Sequence, residues 1–139
     1  MKEFAAPKVT ISNGNRKMGG IPSVSLPPVK TCAPGCTMCQ IAERQSGTMF
    51  LAFTKRYDIV NDYISGGHSI PSNFKLIFSE WPGMSMDNPH GMPVAHVIFR
   101  GSEPMDDWKI CGGNCTECAC RGVGCWELSP GENIAFYEH

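Results

Sequence analysis

The apolar residues of this chain fall into short runs whose spacing predicts alternating strands and helices. A continuous apolar run over residues 48–54, TMFLAFT, has the length of a strand buried on both faces. Apolar residues at helical spacing follow over residues 57–64, and this predicted helix stops at Gly66 and Gly67. The next run, NFKLIFS, predicts a second doubly buried strand over residues 73–79. A strand, a helix and a strand with short connections predict a parallel pair joined by a right-handed crossover.

Three further segments complete the predicted secondary structure around this pair. VAHVIF at residues 94–99 and NIAFYE at residues 133–138 have the length and composition of strands. TMCQIAERQ at residues 37–45 has apolar positions at helical spacing, and a brief strand is predicted over residues 21–26. The fold class that we expect is therefore α/β, with a small, partly parallel sheet and few helices.

The chain is long enough to form a single domain, residues 1–139, with three parts. Residues 1–36 are expected to form an N-terminal covering segment, and residues 37–100 the α/β core. Residues 101–139 are expected to hold a cysteine-rich metal-binding region and the last strand. No apolar run is long enough to cross a bilayer, and the start, MKEFAAPKVT, lacks the pattern of a signal peptide. We therefore expect a cytoplasmic protein.

Charge and cysteine content narrow the classes of function. The chain has 12 Lys and Arg against 13 Asp and Glu, mixed along its length, so we do not expect it to bind nucleic acid. In a reducing compartment, eight cysteines at short spacings favour metal ligation over a disulfide framework. The cysteines are therefore the first candidates for chemistry.

The cysteines near the C-terminus form the pattern C-x3-C-x2-C-x6-C, with Cys111, Cys115, Cys118 and Cys125 as predicted metal ligands. Glycines lie between them, and glycine supplies the positive φ angles and close backbone approach that converging thiolates need. Sulfur ligands suit a zinc ion or an iron–sulfur cluster, and spacing does not separate the two. Cys120 is interpreted as a spare thiol. Incidental buried thiols are the less favoured alternative, because structural cysteines seldom cluster with glycines.

A second group, Cys32, Cys36 and Cys39, repeats the pattern C-x3-C-x2-C near the N-terminus. Three cysteines that bind a four-iron cluster leave one iron open, which is where radical S-adenosylmethionine enzymes bind their cofactor. These three cysteines are therefore candidate cofactor-binding residues. Such enzymes also need a parallel barrel of several strand–helix units, and the short stretch that follows Cys39 cannot supply one.

Other polar and aromatic residues carry weaker indications. Lys55 and Arg56 follow directly on a predicted strand, which is the usual edge of an α/β active site, or else they begin a solvated helix. His90 and His96 each stand alone in the sequence, which favours hydrogen-bonded structural roles. The tryptophans flank loops and the cysteine cluster, where packing is the favoured role.

Five blocks of the sequence are familiar in this order: GNRKMGGIPSVSLPPVKTCAPGC, FLAFTKRYDIVNDYI, FSEWPG, NPHGMPVAHV and CGGNCTECACRGVGCW. Over nearly the whole chain they resemble the gene-product-eighty-eight family of bacteriophage proteins. The resemblance implies a divergent radical S-adenosylmethionine protein, with an N-terminal cysteine group and a C-terminal one that holds an auxiliary cluster. It implies no established activity.

The chain departs from that family in its middle. Family members continue from the first cysteines into a Cys-Tyr-Ala block, a long helical stretch and a strand with His-Val-Ser-Gly-Asp, and neither motif exists here. GCTMCQIAERQ joins the beginning directly to the late part, so Cys39 stands where the family has a later helix. The resemblance thus implies the remnant of a radical-SAM-like barrel plus a C-terminal cysteine-rich metal knuckle. We do not expect S-adenosylmethionine to be used in this short form.

Two hypotheses from different classes follow. The first is a phage-encoded, cysteine-ligated protein of the bacterial host cytoplasm that binds an iron–sulfur cluster, with catalysis left open. The second is a zinc-stapled module that binds a host or phage protein, in which the metal is purely structural. A parallel sheet without its middle segment also predicts an exposed apolar edge, which a homodimer would bury together with the flanking side chains of Phe50, Phe53, Phe74 and Phe78. The loop EWPGMSMDNPHGMP is the alternative cover for that edge.

Overall fold

A computed structural model describes residues 10–12, 21–25 and 37–138 of the chain. In chain order its elements are β1 (Thr10–Ser12), β2 (Ser23–Ser25), α1 (Thr37–Arg44), β3 (Phe50–Thr54), α2 (Tyr57–Ser65), β4 (Phe74–Glu80), β5 (Val94–Ile98), β6 (Lys109–Ile110), α3 (Cys115–Arg121), a 3-10 turn (Gly124–Trp126) and β7 (Asn133–Tyr137).

Within the described part of the chain, five strands form one parallel sheet in the order β3-β4-β5-β7-β6. The small antiparallel pair of β1 and β2 is separate from it. Phe50 pairs with Phe74 and Thr54 with Phe78, with α2 as the crossover, so the predicted parallel pair is confirmed. β6 was not predicted, because a strand of two residues is too short for an apolar period to reveal.

Helix α2 begins and ends where the sequence predicts. Tyr57, Val60 and Asn61 form its buried face. At its end, the Gly66 N–H donates to the Asp62 carbonyl and the Gly67 N–H donates to the Ile64 carbonyl, which satisfies groups that the helix leaves unpaired. Gly67 follows with a φ of 87°, a backbone conformation that favours glycine.

One face of the sheet is covered by α1 and α2. The buried residues of this cluster are apolar, and they come from both helices and from β4 and β5: Cys39, Ala42, Tyr57, Val60, Phe74, Leu76, Phe78 and Val94. The Tyr57 ring packs 5.0 Å from that of Phe78, and its hydroxyl donates to the Ser79 carbonyl. Burial, with the nearby Glu80 carboxylate, raises the pKa of Tyr57, so this hydroxyl stays a donor at neutral pH.

The opposite face of the sheet is concave. Phe53 of β3 and Phe136 of β7 meet edge to face with their ring centroids 5.9 Å apart, although β4 and β5 lie between them. In a flat sheet, three strand spacings would separate these positions by roughly 14 Å, before their offset along the strands is counted. Because side chains stand nearly perpendicular to a sheet, the contact requires the sheet to curl.

A partly buried histidine connects the strands at the centre of the sheet. The His96 Nδ1 lies 2.8 Å from a Glu80 carboxylate oxygen, and its Nε2 lies 2.9 Å from the Asn133 Oδ1. The imidazole also stacks on Trp108, with 3.8 Å between ring centroids. His96 therefore joins β4, β5, β7 and the segment before β6, which is the structural role that its isolation in the sequence favoured.

Two expectations about burial have different outcomes. The β4 strand is buried on both faces as predicted, since Ile77 and Phe78 on its opposite sides are both 0% exposed. The prediction that β3 is doubly buried is wrong. Among the described strands only β4 pairs with it, and Phe53 is 46% exposed on the concave face. An apolar run does not reveal whether a second neighbouring strand exists.

The loop of residues 81–93 packs against α2 through polar contacts. The Asn61 side chain donates to the Asp87 carbonyl at 2.9 Å, and His90 Nε2 lies 2.9 Å from the Ser65 hydroxyl oxygen.

The predicted covering segment, residues 1–36, lies largely outside the described residues. No helix in the described ranges combines the length and the apolar composition that a membrane span requires.

The edge of β3 predicts self-association by pairing of two copies. We expect light scattering to show a mass that rises from monomer to dimer with concentration, because an apolar parallel edge leaves backbone groups unpaired. The Phe53→Lys variant should shift the equilibrium toward monomer. Ile110→Lys is the matched control, because Ile110 is also 46% exposed but lies on the opposite edge, in β6.

A monomeric mass at every concentration would contradict the dimer, as would an equal effect of the two substitutions. Phe74 and Phe78, which the sequence placed in the dimer interface, are 4% and 0% exposed within one chain. They are therefore removed from the predicted interface.

Candidate metal centre

The cysteine-rich region is organised around the short helix α3, which the sequence analysis missed. The Asn114 side chain caps its start by accepting a hydrogen bond from the Glu117 N–H at 3.0 Å. Arg121 pairs with Glu117 one turn away, at 3.1 Å. Gly122 ends the helix with a φ of 63°, and the Val123 N–H donates back to the Cys118 carbonyl. The cap residue Asn114 and Gly122 were the signals from which the helix could have been predicted.

The four predicted ligands lie in three consecutive parts of the region: the end of β6, helix α3 and the 3-10 turn. Cys111 directly follows β6, and its N–H donates to the Ala135 carbonyl of β7 at 2.9 Å. Cys115 and Cys118 are three residues apart on α3, so they share one face of the helix. Cys125 is held in the 3-10 turn that follows α3.

Two glycines allow the backbone to approach the sulfur atoms closely. The Gly113 N–H donates to the Cys111 Sγ at 3.4 Å, in a turn where Gly113 has a φ of 78°. A Cβ built on Gly124, whose φ is 64°, would lie 3.4 Å from the Cys118 Sγ. A side chain at either position would strain the backbone that surrounds the thiols.

The four thiols influence one another electrostatically. Burial raises the pKa of the Cys125 thiol to about 12, and the neighbouring Cys111, Cys115 and Cys118 contribute to the rise. Like charges raise a thiol pKa only when they lie close by. The other three thiols therefore lie near enough to influence Cys125, which stays protonated at neutral pH unless a cation offsets these effects.

The thiols are gathered without forming a finished coordination shell. Among the described residues, no three His, Cys, Asp or Glu side chains are placed as ligands of one metal ion. The donor set itself fits a soft metal, because four sulfurs are the preferred ligands of structural zinc and of iron–sulfur clusters. Binding a metal would require the side chains to turn toward a common centre.

The cysteine region is anchored to the concave face at few points. Leu128 is 2% exposed and packs with Ile77, Ala95 and Ile134 of the sheet. Its carbonyl accepts a hydrogen bond from the Lys75 Nζ at 3.2 Å. Cys111 and Cys125 lie partly buried against the same cluster, whereas neither α3 nor the 3-10 turn contains a fully buried residue.

A pair of carboxylates holds this region to the start of β6. The Lys109 Nζ lies 3.3 Å from the carboxylates of both Glu127 and Glu132. These groups are well exposed, so the contacts contribute little to stability. Exposed ion pairs and one buried leucine therefore hold the knuckle only weakly.

Of the remaining cysteines, the structure describes Cys39 and Cys120. Cys39 is 1% exposed on the buried side of α1, on the face of the sheet opposite Cys111 and Cys125. The other members of the predicted N-terminal set, Cys32 and Cys36, lie outside the described residues. Cys120 is exposed, which agrees with its interpretation as a spare thiol.

Comparison with known proteins adds no relative to this geometry. No family model matches the chain, and neither a curated protein nor a solved structure matches it significantly. The resemblance to the gene-product-eighty-eight family therefore stays a prediction.

Replacing Cys115 with Ser tests the assignment of the four cysteines. We expect Cys115→Ser to lower metal affinity by roughly tenfold or more, because one thiolate of the set is lost. The amides of residues 109–126 should then exchange hydrogen faster, since little apolar burial holds this region. Metal titration and hydrogen exchange measured by mass spectrometry would report the two effects.

The matched control for that experiment is Cys120→Ser, because Cys120 lies in the same helix but is exposed. It should leave both measurements unchanged. Full metal binding and unaltered exchange in Cys115→Ser would refute the assignment.

Proposed function

We propose that this chain is a cysteine-ligated metalloprotein whose centre is formed by Cys111, Cys115, Cys118 and Cys125. The observation that carries the proposal is that the other three thiols lie near enough to Cys125 to contribute to the rise in its pKa. Four thiols that repel one another as thiolates gain most from a cation at their centre, which offsets the repulsion that raises the pKa. A purely structural thiol cluster would gain nothing from such proximity.

The need of the knuckle for a cross-link supports the same proposal. Because α3 and the 3-10 turn contain no fully buried residue, apolar burial returns little free energy for ordering this segment. A bound metal would supply the missing cross-link between β6, α3 and the turn. The residues of this chain would then bind the metal and orient it against the concave face.

We propose an iron–sulfur cluster as the group bound, in a phage-encoded protein related to radical S-adenosylmethionine proteins. The support is the ordered set of five sequence blocks, of which the last contains all four cysteines. The curl of the sheet agrees with descent from a barrel, since closing a parallel sheet requires such curvature. The activity of the chain itself is not part of the proposal.

A zinc-stapled binding module is the second candidate. It is favoured by the small size of the knuckle and by the capped helix α3, which contains the second and third ligands. Both features suit a closed structural site. In that case the metal holds the fold, and binding of a protein partner is the function. The two candidates share their ligands and differ in the metal.

Metal and sulfide analysis after anaerobic purification separates the two candidates. We expect iron together with acid-labile sulfide, in amounts that fall in Cys118→Ser but not in Cys120→Ser. Zinc without sulfide would contradict the iron–sulfur cluster and support the structural zinc site. A protein that retains neither metal, and does not bind either one on reconstitution, would contradict both.

A second expectation concerns S-adenosylmethionine, which we propose is not cleaved by this chain. Cys39 lies on the buried side of α1 and is 1% exposed, and the sheet of described residues has five strands where a barrel needs more. Reconstituted protein with a reductant should yield no 5'-deoxyadenosine above a control without enzyme. Formation of 5'-deoxyadenosine that Cys36→Ser abolishes would overturn this expectation.

A further inference from the structure

An open pocket of about 510 Å³ lies on the concave face, near the carboxyl ends of β3, β4, β5 and β7. Its lining is largely aromatic and includes Phe53, Ser79, Trp81, Val97, Phe99 and Phe136. Its volume is within the range of pockets that hold small molecules. The carboxyl ends of parallel strands are also where α/β folds place ligands, because the connections leave a crevice there.

The aromatic rings around this pocket are unusually exposed. Phe53 and Trp81 are each 46% exposed, Phe99 is 40% and Tyr137 is 49%. Single exposed apolar residues are common on protein surfaces, but several that line one concavity mark a binding site. Rings that surround a crevice on several sides favour a flat aromatic ligand, which can stack on some rings and meet the edges of others.

A lysine supplies a positive charge at one side of the pocket. The Lys55 Nζ lies 3.1 Å from the Ser79 Oγ and 5.6 Å from the centre of the Trp81 ring. Ser79 and Trp81 both line the pocket, so these contacts hold the ammonium group at its rim. In the described part of the chain, no carboxylate forms an ion pair with Lys55.

The charged side chains around the pocket restrict how an anionic ligand can lie in it. Glu138 also lines the pocket, and an anionic group would be repelled from that side. The Ser79 hydroxyl, which accepts from Lys55, retains a proton to donate to an anion beside the ammonium group. The attractive position for a negative charge is therefore next to Lys55 and Ser79.

We propose that this pocket binds a small, planar aromatic molecule that carries one anionic group, such as a carboxylate, sulfonate or phosphate. The aromatic part lies among Phe53, Trp81 and Phe136, and the anionic group lies beside Lys55. No cysteine lines the pocket, so the proposal does not depend on the metal centre. Binding is expected with or without metal.

Two fluorescent probes with the same rings test the proposal. 8-Anilino-1-naphthalenesulfonate carries an anionic group, and N-phenyl-1-naphthylamine lacks it. We expect the wild-type protein to bind the sulfonate more tightly. In Lys55→Gln, the affinity for the sulfonate should fall about fivefold, as expected for a partly exposed ion pair, and that for the neutral probe should not change. The loss should also shrink as salt is added.

Arg44→Gln is the matched control, because Arg44 is an exposed cation at the end of α1, over the opposite face of the sheet. It should leave both affinities unchanged. Val97→Phe, which adds bulk to the lining, should weaken both probes, and circular dichroism would verify that this variant is folded. Titrations belong at protein concentrations where light scattering reports a single species.

Three results would overturn the proposal. The first is that neither probe binds the wild-type protein. The second is that Lys55→Gln and Arg44→Gln change the sulfonate affinity equally, since the charge at the pocket would then be irrelevant. The third is equal binding of the two probes by the wild-type protein, which would reduce the pocket to an apolar surface without preference for anions.

Discussion

The insertion of β7 between β5 and β6 decides where the chemistry of this chain lies. The chain passes from β5 to the outer strand β6 and must return to form β7, so the segment that holds all four predicted ligands is itself a crossover connection. The connection from β3 to β4 runs across the sheet in the opposite direction, with α2 as its helix. Right-handed connections that run in opposite directions lie on opposite faces of a parallel sheet. The cysteine region therefore lies on the concave face, and α1 and α2 fill the other.

The sequence predicts the elements of this fold better than their arrangement. Long apolar runs reveal β4 and β5, and the helical spacing that ends at Gly66 and Gly67 reveals α2, because each pattern is local. The strand order cannot be read in this way, since β6 has two residues and no period. The apolar composition of β3 also suits a central strand, so the sequence predicts burial on both faces. Among the described strands, however, β3 has a single neighbour, and Phe53 is 46% exposed.

The candidate site divides along the same line between local and non-local information. Cysteine spacing and the intervening glycines predict the four thiols, and the structure does bring Cys125 close to the other three. The pocket has no local signature, because its walls come from β3, β4, β5 and β7 and from the residues that follow three of these strands. For Lys55, the sequence indicates only that it follows a strand. Its contacts with Ser79 and Trp81 depend on the parallel pairing of β3 with β4.

Phe136 connects the two sites on the concave face. It packs against the same buried cluster as Cys111 and Cys125 do, and it also forms a wall of the pocket, where it meets Phe53. Any reorientation of the thiols around a metal would displace atoms that pack near this ring, because close-packed side chains transmit such shifts. The β7 backbone, held on both sides by β5 and β6, resists a larger movement. A change at the cysteines should therefore reach the pocket as a small adjustment of its floor, while the charge at the rim, fixed by β3 and β4, stays in place.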